Sequence, residues 1–326
     1  MYAEFYNLTG LPFQLTPDPR FFFSSSGHSK AMAHLTYGLH QGEGFIIITG
    51  DVGAGKTTLV DLLLSDLDKS SHVAAKIVTT QLAADDMLRM VAIGFGLYEE
   101  GLEKADLLHR IENFVTATYF NKKRCLLIVD EAQNLSVASL EELRMLANLS
   151  VNGAAPLQSF LLGQPQFRAT LGSPALDQLR QRVTASYHLG PMTELETHAY
   201  IVHRLKMVGW KEDPLLEDDF FSAVFKHSGG VPRRINTLCS RVLLFGFLEQ
   251  QHAIGPAVVD QIASELHNEL GLITSSASGT TPTAGHDVAI PNLDDRVAAL
   301  ERSVERHDRA IRRAIEIAAS YVPAKR

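Results

Sequence analysis

The sequence predicts an α/β protein: a parallel β-sheet covered by helices on both faces, followed by a smaller domain of helices alone. Short runs that are apolar throughout alternate with helical patterns over the first two-thirds of the chain, which is typical of strands buried on both faces. After about residue 191 the strand-like runs stop, and amphipathic helical patterns continue without them. The predicted strands cover residues 45–48, 72–79, 125–129, 157–162 and 183–189.

These patterns divide the chain into four segments. The α/β core domain is expected at 1–190 and the helical domain at 191–271. A flexible linker is expected at 272–292, because that stretch is rich in Ser, Thr, Gly, Ala and Pro. The helices predicted for the helical domain cover residues 193–208, 217–227, 231–250 and 255–270.

The tail at 293–326 carries a repeat of apolar positions with alternating spacings of four and three residues. This 3.5-residue period predicts a coiled-coil helix for assembly. The alternative is a single amphipathic helix that lies on the rest of the chain. The seam positions are Leu293, Val297, Leu300, Val304, His307, Ile311, Ala314, Ala318 and Tyr321.

Composition narrows the class of protein. The chain has 326 residues with 45% hydrophobic and 21% charged residues, as in an ordinary globular protein. Its formal net charge of −7 argues against strong binding of duplex nucleic acid by bulk charge. With two cysteines, Cys125 and Cys239, and no CxxC pair, a disulfide scaffold or a cysteine zinc site is excluded. The sequence shows neither a secretory signal nor an apolar run long enough for a membrane helix.

One motif carries specific chemistry. Residues 50–57 read Gly-Asp-Val-Gly-Ala-Gly-Lys-Thr and match G-x-x-x-x-G-K-[ST] between a predicted strand and a predicted helix. In this segment, the P-loop, backbone N–H groups face phosphate oxygens and a lysine adds a positive charge. The alternative is an ordinary glycine-rich turn, which the strand–loop–helix context disfavours. The expected nucleotide-binding residues are Gly50, Gly53, Ala54, Gly55, Lys56, Thr57 and Thr58.

A pair of carboxylates follows the third predicted strand. Asp130 is expected to join Thr57 in the Mg²⁺ shell, and Glu131 is expected to polarise a water for attack on the γ-phosphate. The alternative is a strand that simply ends in solvated acids. Gln164, at the end of the next strand, is placed to sense the γ-phosphate or to orient water.

Two arginine groups complete the candidate set. Arg180 and Arg182 precede the last strand, and Arg233 begins a helix of the second domain. In phosphoryl transfer an arginine can be supplied by a neighbouring subunit. The alternative for each is a solvated helix face.

In this order of motifs the chain resembles an AAA+ ATPase, with Walker A, Walker B, sensor-1, arginine-finger and Gly-x-Pro-Arg sensor-2 elements. The resemblance implies a P-loop NTPase (AAA+) sheet followed by an all-α lid, with ATP and Mg²⁺ as cofactors. It makes Arg182 the finger, with Arg180 as the alternative, and Arg233 the sensor-2 arginine. It places Gln164 at sensor 1, and the segment 8–17 over the adenine.

More narrowly, residues 1–270 resemble the general secretion pathway protein A family of secretion ATPases, in the variant encoded at exosortase/PEP-CTERM exopolysaccharide loci. The resemblance implies a cytoplasmic homo-oligomer, peripheral at the inner membrane, that drives assembly of a secretion or polysaccharide-export system. Two alternatives stay open: a DNA-associated transposition-type ATPase and a nucleotide-gated scaffold. The resemblance rests on the segments 5–8, 12–13, 16–22, 28, 37–45, 162–165, 181–183 and 230–236.

Overall fold

Five strands form one parallel sheet in the computed structural model, which describes residues 1–16, 18–78 and 84–275. The order across the sheet places the first strand of the chain between the fourth and the fifth. All five predicted strands are confirmed, and several extend by a residue or two. The strands are β1 (Phe45–Gly50), β2 (His72–Val78), β3 (Arg124–Asp130), β4 (Leu157–Gly163) and β5 (Val183–Leu189), in the order β2-β3-β4-β1-β5.

Helices cover both faces of this sheet because successive strand side chains point to opposite sides. Ile46 and Ile48 pack with the second and third helices, whereas Phe45 and Ile47 pack with the fourth to seventh helices. The first eight helices are α1 (Tyr2–Phe5), α2 (Ser26–Gln41), α3 (Lys56–Asp66), α4 (Ala84–Gly94), α5 (Lys104–Phe120), α6 (Val137–Leu146), α7 (Gln166–Leu171) and α8 (Asp177–Arg180).

The helical domain follows the last strand of the sheet. Its first helix begins with a capping box, in which Thr193 and Glu196 satisfy each other's backbone N–H groups. Two short strands of two residues each also pair in parallel, so the domain is not made of helices alone as the sequence predicted. Its elements are α9 (Glu194–Met207), β6 (Leu215–Leu216), α10 (Asp218–Ser228), α11 (Pro232–Leu248), β7 (Ala253–Ile254) and α12 (Pro256–Ser275).

The beginning of the chain packs in the helical domain. The buried side chains of Tyr2, Tyr6 and Phe13 share one hydrophobic core with α9, α10 and α11. The hydroxyl of Tyr6 also donates a hydrogen bond of 3.0 Å to the carbonyl of Gln251. The first residues of the segment expected at 1–190 therefore pack with the helical domain, because these aromatic side chains find their partners there.

The last described helix extends into the segment predicted as a linker. Helix α12 continues to Ser275, so the first four residues of the linker predicted at 272–292 are helical. The remainder of that linker and the coiled-coil helix predicted at 293–326 lie outside the described residues. Among the residues described, no helix is long and apolar enough to cross a membrane.

Candidate nucleotide-binding site

The candidate site lies at the edge of the sheet where the parallel strands end. The P-loop follows β1, Asp130 ends β3, and Gln164 follows β4. Because β4 lies between β1 and β3, Gln164 falls between the P-loop and the two carboxylates. This arrangement brings Gln164 next to the end of the strand that carries Asp130.

Two glycines let the P-loop adopt its curvature and accept the helical domain. Gly55, which caps the N-terminus of α3, has a φ of 97°, and Gly53 has a φ of 82°, values that L side chains rarely adopt. A Cβ at Gly53 would lie 2.2 Å from Cβ of Arg233. The backbone N–H of Arg233 donates a hydrogen bond of 3.2 Å to the Gly53 carbonyl. The helical domain therefore rests directly on the P-loop.

The side chain of Lys56 is buried at the base of this loop, with 6% of its surface exposed. Its ammonium donates hydrogen bonds of 2.8 Å and 3.0 Å to the carbonyl oxygens of Gly50 and Asp51. Burial lowers the pKa of Lys56, although the carboxylates of Glu131, Asp130 and Asp51 act in the opposite direction. Phosphate oxygens would replace the carbonyl partners and stabilise the buried charge more strongly.

Thr57 and Asp130 form the pair that fits a magnesium ion. The Thr57 hydroxyl donates a hydrogen bond of 2.7 Å to Oδ2 of Asp130. The Asp130 side chain is buried, and its Oδ1 accepts a hydrogen bond of 2.9 Å from the backbone N–H of Glu131. A hydroxyl and a carboxylate are the oxygen ligands that Mg²⁺ prefers, so the donor set fits the predicted metal.

Glu131 is held by two glutamine side chains. Its backbone is in the left-handed region, with a φ of 56°, which turns the side chain away from the line of β3. Oε2 of Glu131 accepts hydrogen bonds from Nε2 of Gln133 at 2.5 Å and from Nε2 of Gln164 at 3.2 Å. Oε1 of Gln133 in turn accepts from the Gln164 backbone N–H at 2.9 Å. The sequence analysis missed Gln133, although its position two residues after Glu131 was the available signal.

The predicted arginines occupy two different places. Arg233 lines the cavity beside the P-loop. Arg182 instead lies at the opposite edge of the sheet, where its carbonyl accepts from the N–H of Phe45 at the start of β1. The six residues of β1 separate it from this chain's own P-loop, a distance of about 17 Å.

Arg180 and Arg182 also differ in their partners. Arg180 is engaged within its own chain, through an ion pair of 2.5 Å with Asp177 and a hydrogen bond of 3.2 Å to the Leu171 carbonyl. Arg182 is exposed and donates one hydrogen bond of 3.3 Å to the carbonyl of Ala147. The guanidinium of Arg182 therefore makes fewer polar contacts within its own chain than that of Arg180.

A cavity of about 410 Å³ opens between the P-loop, the start of the chain and the helical domain. Gln14, Leu15 and Thr16 line it, whereas Leu8 and Phe13 from the same predicted adenine-covering segment are buried in the helical core. Pro17, the last residue of that segment, is outside the described residues. The remaining walls come from Asp18, Phe21, Phe22, Phe23, His28, Val52, Gly53, Gly55, Lys56, Thr57, Thr58, Glu131, Met192, Tyr200, Arg204, Pro232, Arg233 and Asn236.

A buried polar network from the helical domain fixes the segment that lines this cavity. Nε of Arg204 donates to the Pro12 carbonyl at 2.6 Å, and its Nη1 donates to the hydroxyl of Tyr200 at 2.9 Å. The Tyr200 hydroxyl donates to Oδ1 of Asn236 at 2.8 Å, and burial raises the pKa of Tyr200. Sequence reasoning missed these residues, because isolated polar positions on amphipathic helices resemble ordinary surface residues.

The sheet and its P-loop have the fold of a P-loop NTPase, and residues 39–171 match the AAA domain family. Two solved structures share the fold at low sequence identity. The ADP form of the Aeropyrum pernix ORC2 protein has a TM-score of 0.58 and 16% identity, over 85% of this chain and 82% of that one. Cdc6p from Pyrobaculum aerophilum has a TM-score of 0.60 and 15% identity, over 81% of this chain and 70% of that one.

Among curated proteins the chain is similar to the general secretion pathway protein A of Aeromonas hydrophila. The two are 35% identical over 280 residues, which is 86% of this chain and 49% of that protein. The chain thus spans about half the length of this relative.

Proposed function

We propose that this chain binds ATP with Mg²⁺ and hydrolyses it to ADP and phosphate. The observation that carries the proposal is the 2.7 Å hydrogen bond between Thr57 and Asp130. That contact joins the P-loop to the end of β3, so that Lys56 and Glu131 line one cavity. Nucleotide binding alone would need only the P-loop. Hydrolysis also needs a group that can accept a proton from water, and the Glu131 carboxylate is such a group.

Each residue of the site has one role in the proposed reaction. The Lys56 ammonium binds the β- and γ-phosphates, and P-loop N–H groups bind the remaining oxygens. Thr57 and Asp130 would hold a Mg²⁺ ion, which would neutralise charge on the same phosphates. Glu131 accepts a proton as water attacks the γ-phosphorus, and the bond to the β–γ bridging oxygen breaks to release ADP. Gln164 orients Glu131, and Arg233 contacts the γ-phosphate from the helical domain.

Hydrolysis is proposed to require a second copy of the chain. Arg182 lies at the edge of the sheet opposite the P-loop of its own chain and is exposed. An arginine in that place serves a nucleotide held by a neighbour, where it stabilises the charge that develops on the γ-phosphate. The internal ion pair of Arg180 with Asp177 supports Arg182 over Arg180 as that residue.

The biological setting is proposed from the similarity to general secretion pathway protein A. The chain would drive assembly of a secretion or exopolysaccharide-export system through proteins of the inner membrane, at whose cytoplasmic face it would act. The net charge of −7 supports this over the alternative of a DNA-associated ATPase. The nucleotide-gated scaffold remains a distinct outcome of the tests below.

Titration with ATP, in the presence of Mg²⁺ and with phosphate release followed in parallel, tests the enzymatic proposal. The wild-type chain is expected to bind ATP and release phosphate. Lys56→Ala is expected to lose binding, whereas Lys69→Ala, which removes an exposed lysine, should match wild type. Binding without any phosphate release at high protein concentration would favour the scaffold; equal binding by Lys56→Ala would refute the site.

Deletion in the native organism tests the biological setting. Export of extracellular polysaccharide and of secreted proteins is expected to fall, and wild type but not Lys56→Ala should restore it. Unchanged export in the deletion strain would refute the secretion role, while leaving the biochemical proposal intact.

A further inference from the structure

His28 lies in the first turn of α2, beside the P-loop, and the proposed mechanism gives it no role. Its side chain is buried, with 5% of its surface exposed, and the ring of Phe22 packs against it edge-to-face at 5.8 Å. A Cβ at Gly55 would lie 2.7 Å from Nε2 of His28. The imidazole ring is therefore packed directly on the backbone of the P-loop.

The hydrogen bonds of His28 define which ring nitrogen carries the proton. Nε2 lies 3.1 Å from the carbonyl oxygen of Ala54, which can only accept. Nδ1 lies 2.7 Å from the hydroxyl of Ser25, which can donate to it. The carbonyl partner requires a proton on Nε2. Burial lowers the pKa of His28, in agreement with a neutral ring whose Nδ1 accepts from Ser25.

The bond to Ala54 fixes the orientation of one peptide group in the P-loop. A trans peptide is planar, so its C=O and its N–H point in opposite directions. When the Ala54 carbonyl points outward to His28, the N–H of Gly55 must point to the other side, into the loop. An inward N–H at this place is a donor for a phosphate oxygen.

The position of His28 is itself fixed from the helical domain. Ser25 caps α2 and accepts a hydrogen bond from the His28 backbone N–H at 3.3 Å. The backbone N–H of Ser26, the residue after Ser25, donates a hydrogen bond of 2.7 Å to Oε1 of Glu196. Glu196 also accepts from the N–H of Thr193 at 2.9 Å in the capping box of α9. One carboxylate thus ties the start of α2, and with it His28, to the helical domain.

We propose that His28 is a positioning residue of the P-loop, which holds the Ala54 carbonyl outward so that the Gly55 N–H faces the phosphates. The inference rests on the proposed nucleotide binding and adds a residue outside the P-loop motif. Without the imidazole donor the Ala54–Gly55 peptide group is free to rotate, and the phosphates lose one aligned N–H.

Paired substitutions at His28 separate this role from simple packing. The amide nitrogen of glutamine matches the position of Nε2, and that of asparagine matches Nδ1. His28→Gln therefore keeps a donor for the Ala54 carbonyl, whereas His28→Asn keeps only the contact with Ser25. His28→Leu removes both polar contacts at similar volume.

The readout is the Kd for ADP and ATP, measured on the full chain by calorimetry, with the thermal unfolding of each nucleotide-free variant as a control. We expect His28→Asn and His28→Leu to raise Kd by about tenfold to a hundredfold, the effect of one lost hydrogen bond to a charged acceptor. His28→Gln is expected to remain within about threefold of wild type by the same reasoning. Equal Kd values for His28→Asn and wild type, or equal losses for His28→Gln and His28→Asn, would overturn the proposal.

A measurement on the wild-type chain guards against variants that fail to fold. The ¹⁵N chemical shifts of the histidine ring identify its tautomer, and the proposal requires Nε2–H in His28 with and without nucleotide. An Nδ1–H tautomer would overturn the inference even if ATP binds. Conversely, a wild-type chain that binds no nucleotide but shows the Nε2–H tautomer would refute the proposed function and not the contact.

Discussion

Arg204 offers a sharp test of how the start of the chain is held over the nucleotide cavity. Its guanidinium is buried, with 7% of the residue exposed. It donates to Pro12 at 2.6 Å and to Tyr200 at 2.9 Å, and it lies 4.8 Å from the centre of the Phe21 ring. Arg204→Met keeps most of the aliphatic volume and removes these polar and cation–π contacts together.

The expected loss follows from these contacts. Two short hydrogen bonds from a charged donor contribute about 3 to 6 kcal/mol in total, and the stacking on Phe21 adds about 1 kcal/mol. The bond to Gln14, at 3.5 Å, is too long to add much. Removing the buried charge also recovers part of its desolvation cost. We therefore expect the free energy of unfolding to fall by about 2 to 4 kcal/mol.

Urea unfolding followed by tryptophan fluorescence measures this directly, because the single tryptophan, Trp210, follows α9 in the helical domain. Arg241→Met is the matched control: its guanidinium forms a surface ion pair of 3.2 Å with Glu269, and both side chains are about half exposed. The control should change stability by less than about 1 kcal/mol. If Arg204→Met unfolds at the same urea concentration as the control, Arg204 does not anchor the first segment.

Three further predictions concern the site and its connections. Gln133→Ala should lower turnover about tenfold with unchanged ATP affinity, because Glu131 loses an orienting hydrogen bond; an unchanged rate would show that Gln133 does not orient it. Arg182→Ala should lower turnover at least tenfold at constant ATP affinity, and mixing it with Lys56→Ala should restore part of the activity; failure to complement, with turnover independent of protein concentration, would indicate a monomeric site. Glu196→Gln should lower stability at neutral pH by about 1 to 2 kcal/mol. Burial alone would raise the pKa of Glu196, but hydrogen bonds from Thr193 and Ser26 lower it from 4.5 to about 2. The stabilisation is therefore complete above pH 4.5 and lost as pH falls towards 2, and urea midpoints that differ equally at pH 7 and pH 3 would contradict it.

The parts of the site that the sequence predicted are those encoded by contiguous residues. The P-loop residues from Gly50 to Thr57 lie in one segment, so the spacing of the motif alone predicts that they form one loop. Asp130 and Gln164 were predictable because each follows an apolar strand, and parallel strands end at the same edge of the sheet.

The parts that the sequence did not predict depend on contacts between distant segments. Arg204 and Tyr200 face inward in α9, but their polar side chains break the apolar pattern that marks a buried helix face. The aromatic side chains of Tyr2 and Tyr6 indicate a buried start of the chain without showing which domain covers it. His28 carries no spacing signal at all, since its partners are the P-loop backbone and a serine.

Single-turnover hydrolysis by Glu131→Gln tests the central claim most directly. Glutamine keeps the shape of the side chain but has no carboxylate to accept the proton from water. ATP should bind with a Kd close to that of wild type, while phosphate release falls about 10²-fold to 10⁴-fold; Glu100→Gln, at an exposed position, should match wild type in both. Phosphate release by Glu131→Gln at the wild-type rate would contradict the account, because the group proposed to activate water would then not be needed.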